Sequence, residues 1–353
     1  MSAYAIYRLP HEDHATRITQ ADGDPMEIYA LSELNSKQGF VVAPFEVKSD
    51  QPVLLIQGQT EDIDLRPESG GQVHDPDFRI DHETGPLDSQ SLYYKVDFAN
   101  YHSQLQADVF RKIVLARCAD ETMGEKVEPM TLFYRACALY PRLFIALVET
   151  EKSGCWLTAT PEILLEGEGL DWRTIALAGT MKLEGDQLNG EGETLRWSTK
   201  NIQEQRIVAT YITECPEQFT GDFREEGPRT VRAANLVHLR SDFTFKLADH
   251  NHIGDLLQAL HPTPAVCGLP KRETFQFIIK NEHTPRRYYS GFMGPLQMDN
   301  THLYVSLRCM NIEGGICHLF AGGGLLKDSI EAQEWAETEA KMETMRRLLY
   351  VQS

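Results

Sequence analysis

The sequence predicts an α+β protein with large, mostly antiparallel β-sheets and helices packed outside them. The main observation is that many short apolar or β-branched runs follow one another without a helix between them, as the strands of antiparallel sheets do. The length of 353 residues allows one large core or two domains. A hydrophobic fraction of 42% and a charged fraction of 24% are typical of soluble globular proteins.

The first hundred residues hold the weakest patterns. Two apolar runs, at 40–45 and 53–57, predict strands. The stretch 59–90 is acidic and rich in Gly, Pro and Asp, so we expect an exposed loop or a poorly ordered connection there. No internal repeat is found along the chain.

From Tyr94 onward the patterns become regular. Tyr101, Leu105 and Val109 recur at helical spacing, and the β-branched run 112–116 then predicts a strand. Further strands are predicted near 143–148, 156–159, 163–166, 173–177, 230–247, 287–294, 301–312 and 315–321. Further helices are predicted at 131–140, 199–218, 270–281 and 330–350. The helix at 199–218 has an approximate apolar stripe formed by Ile202, Val208, Tyr211 and Ile212.

Charge and cysteine content narrow the class of protein. The net charge of −18 argues against binding to nucleic acid, whose phosphates would be repelled. No apolar run reaches the length of a membrane span, and the N-terminal residues lack the basic-then-apolar order of a signal peptide. The seven cysteines are scattered without C-x-x-C pairs, which indicates reduced thiols and not disulfides or a zinc site. We therefore expect a cytoplasmic protein with no membrane partner.

The last predicted helix carries a charged pattern that suits a metal site. Glu334, Glu337 and Lys341 are spaced i, i+3 and i+7, so they lie on one helical face. Two carboxylates beside an ammonium suit a hydrated magnesium ion next to an anionic substrate. The alternative is a solvated helix face with intrahelical ion pairs.

A lysine at the start of an apolar strand is a second candidate. Burying the ammonium of Lys112 would cost free energy and favour the neutral amine, the form that accepts a proton as a general base. The alternative is a strand-end lysine whose ammonium reaches solvent. In 159-ATPE-162 the proline predicts a turn, and on the residues alone Glu162 is an exposed glutamate after that turn.

Three runs near the C-terminus stand in one order: 261-HPTPAVCGLP-270, 321-AGGGLLKDS-329 and 334-EWAETEAKMETM-345. Together they resemble the C-terminal signature of the chorismate-utilising enzymes. The similarity extends over about three quarters of the chain, from Tyr94 to Met345.

The resemblance implies a single large α+β domain with the chorismate-binding fold. Residues 94–353 would form its catalytic core. Residues 1–93 offer no confident match and would be a further part of the same domain.

The resemblance also implies a catalytic pair. The run 110-FRKIVLARCAD-120 resembles the K-V-V-L-A-R stretch of isochorismate and salicylate synthases, where the lysine activates the attacking water; anthranilate synthases carry glutamine there. Lys112 would be the general base, and Glu162 the general acid that protonates the departing C4 hydroxyl. Such a glutamate needs a raised pKa. Aminodeoxychorismate synthases often place a nucleophilic lysine where this chain has Ala178, so we do not expect that chemistry. Lys112 argues against an ammonia-using synthase, and therefore against a glutaminase subunit.

The implied cofactor is magnesium, held from two helices. The stretch 198-STKNIQEQ-205 resembles the first metal-binding helix of the family, with Glu204 as a direct ligand. Glu337 would be the second direct ligand, and Glu334 would act through water. Asn201 stands where many members carry an acidic residue, so it contributes no charge.

The implied contacts to the substrate, chorismate, are Gly179, Thr180, His238, Tyr289, Arg308, Gly322, Gly324 and Lys341. Glycines let backbone N–H groups approach an anion, and an arginine takes a carboxylate with both arms of its fork. Tyr289 matches a tyrosine that in relatives reaches the enolpyruvyl carboxylate. Taken alone, His238 is a structural histidine, Arg308 an arginine inside a strand that pairs with an acid, and the glycine trio a bend. Met181 and Gly323 depart from the residues common in the family.

The segment 261–270 is most similar to isochorismate synthases. It implies reversible, magnesium-dependent conversion of chorismate to isochorismate by addition of water at C2 and loss of the C4 hydroxyl. The alternatives are a salicylate synthase, which goes on to eliminate pyruvate, and a non-catalytic relative that binds chorismate. Isochorismate serves both menaquinone and siderophore biosynthesis, and the sequence does not choose between them.

Overall fold

Eighteen β-strands and six α-helices make up the described part of the chain. A computed structural model describes residues 2–66, 89–123, 127–183, 195–233, 236–249, 251–297 and 300–350. The strands are β1 (Tyr4–Arg8), β2 (His14–Gln20), β3 (Met26–Ile28), β4 (Gly39–Ala43), β5 (Val53–Ile56), β6 (Gly58–Asp64), β7 (Lys112–Thr122), β8 (Phe144–Thr150), β9 (Gly154–Thr160), β10 (Ile163–Glu168), β11 (Asp171–Lys182), β12 (Phe223–Ala233), β13 (Leu236–Lys246), β14 (Gly268–Leu269), β15 (Phe292–Leu296), β16 (Thr301–Val305), β17 (Cys309–Glu313) and β18 (Ile316–Leu325). The helices are α1 (Ser89–Gln106), α2 (Pro129–Leu139), α3 (Thr199–Glu214), α4 (Ile253–Leu260), α5 (Lys271–Asn281) and α6 (Glu331–Leu349).

The strands form two nine-stranded sheets. Sheet A has the order β14-β7-β18-β17-β9-β8-β1-β2-β6, and sheet B the order β12-β13-β11-β10-β16-β15-β4-β5-β3. Each pair of neighbouring strands in the described residues runs antiparallel. The predicted α+β class with large antiparallel sheets is therefore confirmed.

The two sheets pack face to face, with helices on their outer faces. Between the sheets, the rings of Phe144 from β8 and Tyr304 from β16 stack with centroids 4.3 Å apart. Helices α3 and α4 cover sheet B through an apolar cluster that includes Val208 and Leu256, and α2 and α6 cover sheet A through one that includes Phe133. Burial of these apolar faces holds the four layers together.

The glycine trio lies in a regular strand and not in a bend. In the ladder between β18 and β7, Gly322 is opposite Ala116 and Gly324 is opposite Val114, without a break in register. The same ladder brings the C-terminal end of β18 beside Lys112, the first residue of β7. The start of β7 and the end of β18 therefore lie side by side in sheet A.

The N-terminal part differs most from expectation. Its strands join both sheets, β1 and β2 in sheet A and β3 to β5 in sheet B. Strand β6 lies almost wholly inside the segment expected to be a loop. It is an exposed edge strand with mostly polar side chains, so it lacks the apolar alternation by which a strand is recognised. Residues 67–88 of that expected loop lie outside the described residues.

Several local features differ from the predictions. Helix α4 was not foreseen. Ile202 is 53% exposed, although it was placed in the apolar stripe of α3, where Val208 and Ile212 are buried. Arg308 lies between β16 and β17 and not inside a strand, with a φ of +47°. A left-handed φ is uncommon for an arginine, and no sequence pattern signals it.

The helices begin and end where local chemistry favours it. Ser198 caps α3, since its hydroxyl accepts a hydrogen bond from the Asn201 N–H. Helix α6 carries acidic residues in its first turn and basic residues in its last, in agreement with the helix dipole. None of the helices in the described ranges is long and apolar enough to cross a membrane.

Candidate active site

One cavity collects most of the predicted site residues. It lies where the ends of strands from both sheets meet α3 and α6. Predicted residues among its lining are Glu162, Gly179, Thr180, Glu204, His238, Tyr289, Arg308, Gly322, Gly324 and Lys341. The three remaining predicted residues lie outside this lining. Lys112 and Glu337 form ion pairs with the lining residues Glu204 and Lys341, and Glu334 pairs with Lys200.

Lys112 is wholly buried at the start of β7, so its ammonium does not reach solvent. Its Nζ lies 3.1 Å from Oε1 of Glu204. Gly324 makes this contact possible, because a Cβ at that position would lie 2.1 Å from Glu204 Oε1 and 2.8 Å from Lys112 Cε. A buried lysine and a mostly buried glutamate therefore meet against the bare backbone of β18.

Glu162 is buried in the turn between β9 and β10, and not exposed as the turn alone suggested. Burial raises its pKa to about 8, against the opposing effect of the cations Lys112, Lys341 and Arg308. A carboxyl group with this pKa is largely protonated at neutral pH. Glu162 therefore has the property expected of a general acid.

His238 and Arg308 form a buried hydrogen-bonded pair at one wall of the cavity. Arg308 Nη2 donates to His238 Nε2 at 2.5 Å, and His238 Nδ1 lies 3.1 Å from the carbonyl oxygen of Gly179. Burial, together with the cations Arg308 and Lys341, lowers the pKa of His238 well below 6.5, so the ring is neutral. The neutral ring accepts from the guanidinium at Nε2 and donates from Nδ1 to Gly179.

The hydrogen bond to the neutral His238 ring holds the Arg308 guanidinium in place without neutralising its charge. Among the described residues, Arg308 makes no ion pair with a carboxylate, and its second hydrogen bond goes to the Ala233 carbonyl. Burial lowers its pKa to about 10, which leaves it charged. A buried guanidinium held only by neutral acceptors is suited to an anionic ligand.

Gly179 and Thr180 lie at a bulge in β11. The register of the ladder between β11 and β13 shifts between Ala178 and Thr180, and Gly179 has a φ of +73°, which a glycine adopts readily. A Cβ at Gly179 would lie 3.1 Å from the Cβ and carbonyl oxygen of Asn201. Helix α3 therefore packs closely against this bulge.

Three carboxylates gather behind the glycines of β18. A Cβ at Gly323 would lie 3.2 Å from Glu334 Oε2 and 3.9 Å from Glu337 Oε1, and Gly324 faces Glu204 in the same way. Because Gly323 and Gly324 have no side chains, there is space beside all three carboxylates. Carboxylate oxygens are the ligands that magnesium prefers, so the donor set fits the implied ion.

Each of these carboxylates is paired with a lysine. Glu204 faces Lys112, Glu337 Oε1 accepts from Lys341 Nζ at 2.8 Å, and Glu334 Oε1 accepts from Lys200. Burial would raise the pKa of Glu204, but the neighbouring lysines hold it below 4.5. Burial and the charge of Glu337 raise the pKa of Glu334.

Lys200 is the charged residue that the sequence prediction missed. Burial alone would lower the pKa of Lys200, but the combined effect of Glu334, Glu337 and Glu204 raises that pKa above 10.5. The available signal was a cation in the first turn of a helix, where acidic residues are preferred. The apolar lining from Val114, Leu177 and Leu307 was also missed, because buried strand residues look alike in sequence.

Known proteins resemble this chain in sequence. The profile of the family described as "Chorismate binding enzyme" matches residues 40–350. The "Salicylate biosynthesis isochorismate synthase" of Pseudomonas aeruginosa is 34% identical over 253 residues, which span 70% of this chain and 52% of that protein. "Isochorismate synthase MenF" of Escherichia coli is 30% identical over 245 residues, which span 68% of this chain and 56% of that protein. The chain thus spans little more than half the length of these two relatives.

Solved structures resemble it over nearly its whole length. DhbC from Bacillus anthracis, a candidate 2,3-dihydroxybenzoate-specific isochorismate synthase, superposes with a TM-score of 0.79 at 22% identity, covering 98% of this chain and 96% of DhbC. MenF from Escherichia coli superposes with a TM-score of 0.78 at 21% identity, covering 99% and 89%. At this identity the likeness establishes the fold. The family profile spans most of the chain, and the chain therefore belongs to the chorismate-binding enzyme family.

Proposed function

We propose that this chain is an isochorismate synthase that interconverts chorismate and isochorismate with the help of magnesium. The observation that carries the proposal is a buried acid and a buried amine at one cavity. Glu162 has a pKa of about 8, and Lys112 lies close enough to oppose that shift. Addition of water at one ring carbon and loss of hydroxyl at another requires such a pair.

Lys112 is the proposed general base. Its side chain is wholly enclosed at the start of β7 and contacts Glu204, which lines the cavity. To act as a base, the ammonium that pairs with Glu204 must first lose its proton; the neutral amine then takes a proton from a water molecule that adds to C2 of chorismate. The ring double bonds then shift toward C4.

Glu162 is the proposed general acid. In its protonated form it transfers a proton to the C4 hydroxyl, which leaves as water as the C4–O bond breaks. One water is gained at C2 and one is lost at C4, so the overall reaction is an isomerisation. In the reverse direction the two groups exchange roles.

The remaining cavity residues bind and orient the two carboxylates of the substrate. Arg308 is turned into the cavity by His238 and can bind a carboxylate with its fork. Lys341 donates to the Gly322 carbonyl at 2.9 Å and supplies a second positive charge on the opposite element, α6. Thr180 offers a hydroxyl and an amide next to the bulge in β11.

The residues that would hold magnesium are Glu204 and Glu337, with Glu334 acting through water. A bound divalent cation would supply charge stabilisation at the ring carboxylate of the substrate. The acids lie directly behind the β18 glycines that line the cavity. Two residues favour water over ammonia as the nucleophile: Lys112, where ammonia-using relatives carry glutamine, and Ala178, which excludes a nucleophilic lysine.

The proposal is tested by incubating the purified protein with chorismate, with magnesium or with EDTA, and separating the products by chromatography. We expect magnesium-dependent formation of isochorismate without pyruvate. Salicylate with equimolar pyruvate would instead assign the chain to the salicylate synthases. Absence of any product, with chorismate still bound, would reject the enzymatic proposal.

A further inference from the structure

Lys200 lies among the acids that would hold the metal. It is in the first turn of α3, and its ammonium contacts Glu334 Oε1 in α6. The Glu334 side chain is 2% exposed and that of Lys200 is 21% exposed. In the part of the chain that the structure describes, Glu334 is the hydrogen-bond partner of this ammonium.

Its position in the helix is electrostatically unfavourable. The N-terminus of a helix carries partial positive charge, so a cation in the first turn is destabilising unless an acid compensates it. The next residue, Asn201, is uncharged and turns its amide toward the Thr180 carbonyl. Compensation for Lys200 therefore comes from the opposite helix, through Glu334.

The charges of the cluster balance without any metal ion. Lys112, Lys200 and Lys341 supply three positive charges, and the acids to which they are paired supply three negative charges. A divalent cation entering this set meets an already neutralised site. The ion must then compete with the lysines for these carboxylates.

Lys200 is the lysine best placed to move. Lys112 is wholly enclosed, and Lys341 is held a second time by the Gly322 carbonyl. We propose that Lys200 is an internal counter-ion of Glu334 that must be displaced when a divalent cation binds, and that it thereby weakens the affinity of the site for that cation. This inference rests on the proposed function only in taking these acids as metal ligands.

The test is magnesium binding to the substrate-free protein, measured by isothermal titration calorimetry. Lys200→Met removes the charge and keeps most of the side-chain length. Lys280→Met, at the exposed end of α5, changes the net charge equally and serves as the control. We expect Lys200→Met to bind Mg²⁺ about tenfold more tightly than the unmodified chain, Lys280→Met to be unchanged, and Lys200→Arg to keep the original affinity.

A second measurement uses the unmodified chain and does not depend on the folding of a variant. Acetylation of lysines by an N-hydroxysuccinimide ester, followed by peptide mass spectrometry, reports how accessible each ammonium is. Lys200 should react faster in magnesium than in EDTA, whereas Lys280 should react equally in both. Equal reactivity of Lys200 in the two conditions, or unchanged or weaker binding by Lys200→Met, overturns the inference. Absence of magnesium binding to any variant rejects the proposed metal site itself, which is a separate outcome.

Discussion

Replacing Glu162 by glutamine should abolish catalysis and at the same time stabilise the fold. The folded protein holds this carboxyl at a pKa of about 8, whereas an unfolded chain releases the proton near 4.5. Between these two values folding therefore takes up a proton, and stability falls as pH rises. At pH 7 the cost is about 3 kcal/mol, and above pH 8 it levels off at about 5 kcal/mol, since each pH unit corresponds to about 1.4 kcal/mol.

Glutamine carries no such cost, so the stability difference between Glu162→Gln and the unmodified chain should grow with pH. The values are upper limits, because the amide also needs hydrogen-bond partners in a buried site. Urea unfolding of both proteins at pH 5, 6, 7 and 8 gives the free energies of unfolding. Glu313→Gln is the control, since that side chain is 78% exposed. A difference that is independent of pH, or that shrinks as pH rises, would refute the assignment of Glu162 as a buried, protonated acid.

Three further outcomes follow from the site. The rate of isochorismate formation should stop rising with pH above pH 8, because Glu162 loses its proton there; a rate that keeps rising would count against it as the acid. Lys112→Met should lower turnover at least ~10³-fold yet bind chorismate within about threefold by equilibrium dialysis, and near-normal turnover would remove it as the base. Gly324→Ala should lose activity and about 1–3 kcal/mol of stability in thermal unfolding, because its Cβ would overlap Glu204, whereas Gly221→Ala, which faces open space, should lose neither.

The sequence predicts the architecture well because its strands carry a strong signal. Buried runs such as 40–45 and 143–148 are apolar and β-branched, and they became β4 and β8. Strand β6 has mostly exposed polar residues on the edge of sheet A, so its partner β2, and not its own composition, determines its structure. The order of the strands within each sheet also depends on such long-range pairs.

The site was predicted as a set of residues and not as a geometry. The resemblance selected Glu162, His238 and Arg308 from three separate parts of the chain, and the structure brings them to one cavity. The hydrogen bond between His238 and Arg308 was not foreseen, since it depends on the left-handed backbone at Arg308. The pairing of Lys200 with Glu334 was missed because it joins two helices that are far apart in the chain.

The most direct test of the account is to run the reaction in H₂¹⁸O and locate the label by mass spectrometry and NMR. Activation of water by Lys112 predicts isochorismate with one ¹⁸O atom, in the C2 hydroxyl group. It also predicts that the oxygen lost from C4 appears in the solvent. Unlabelled isochorismate, formed at a normal rate, would show that the C4 hydroxyl is transferred within the molecule and would contradict the roles assigned to Lys112 and Glu162.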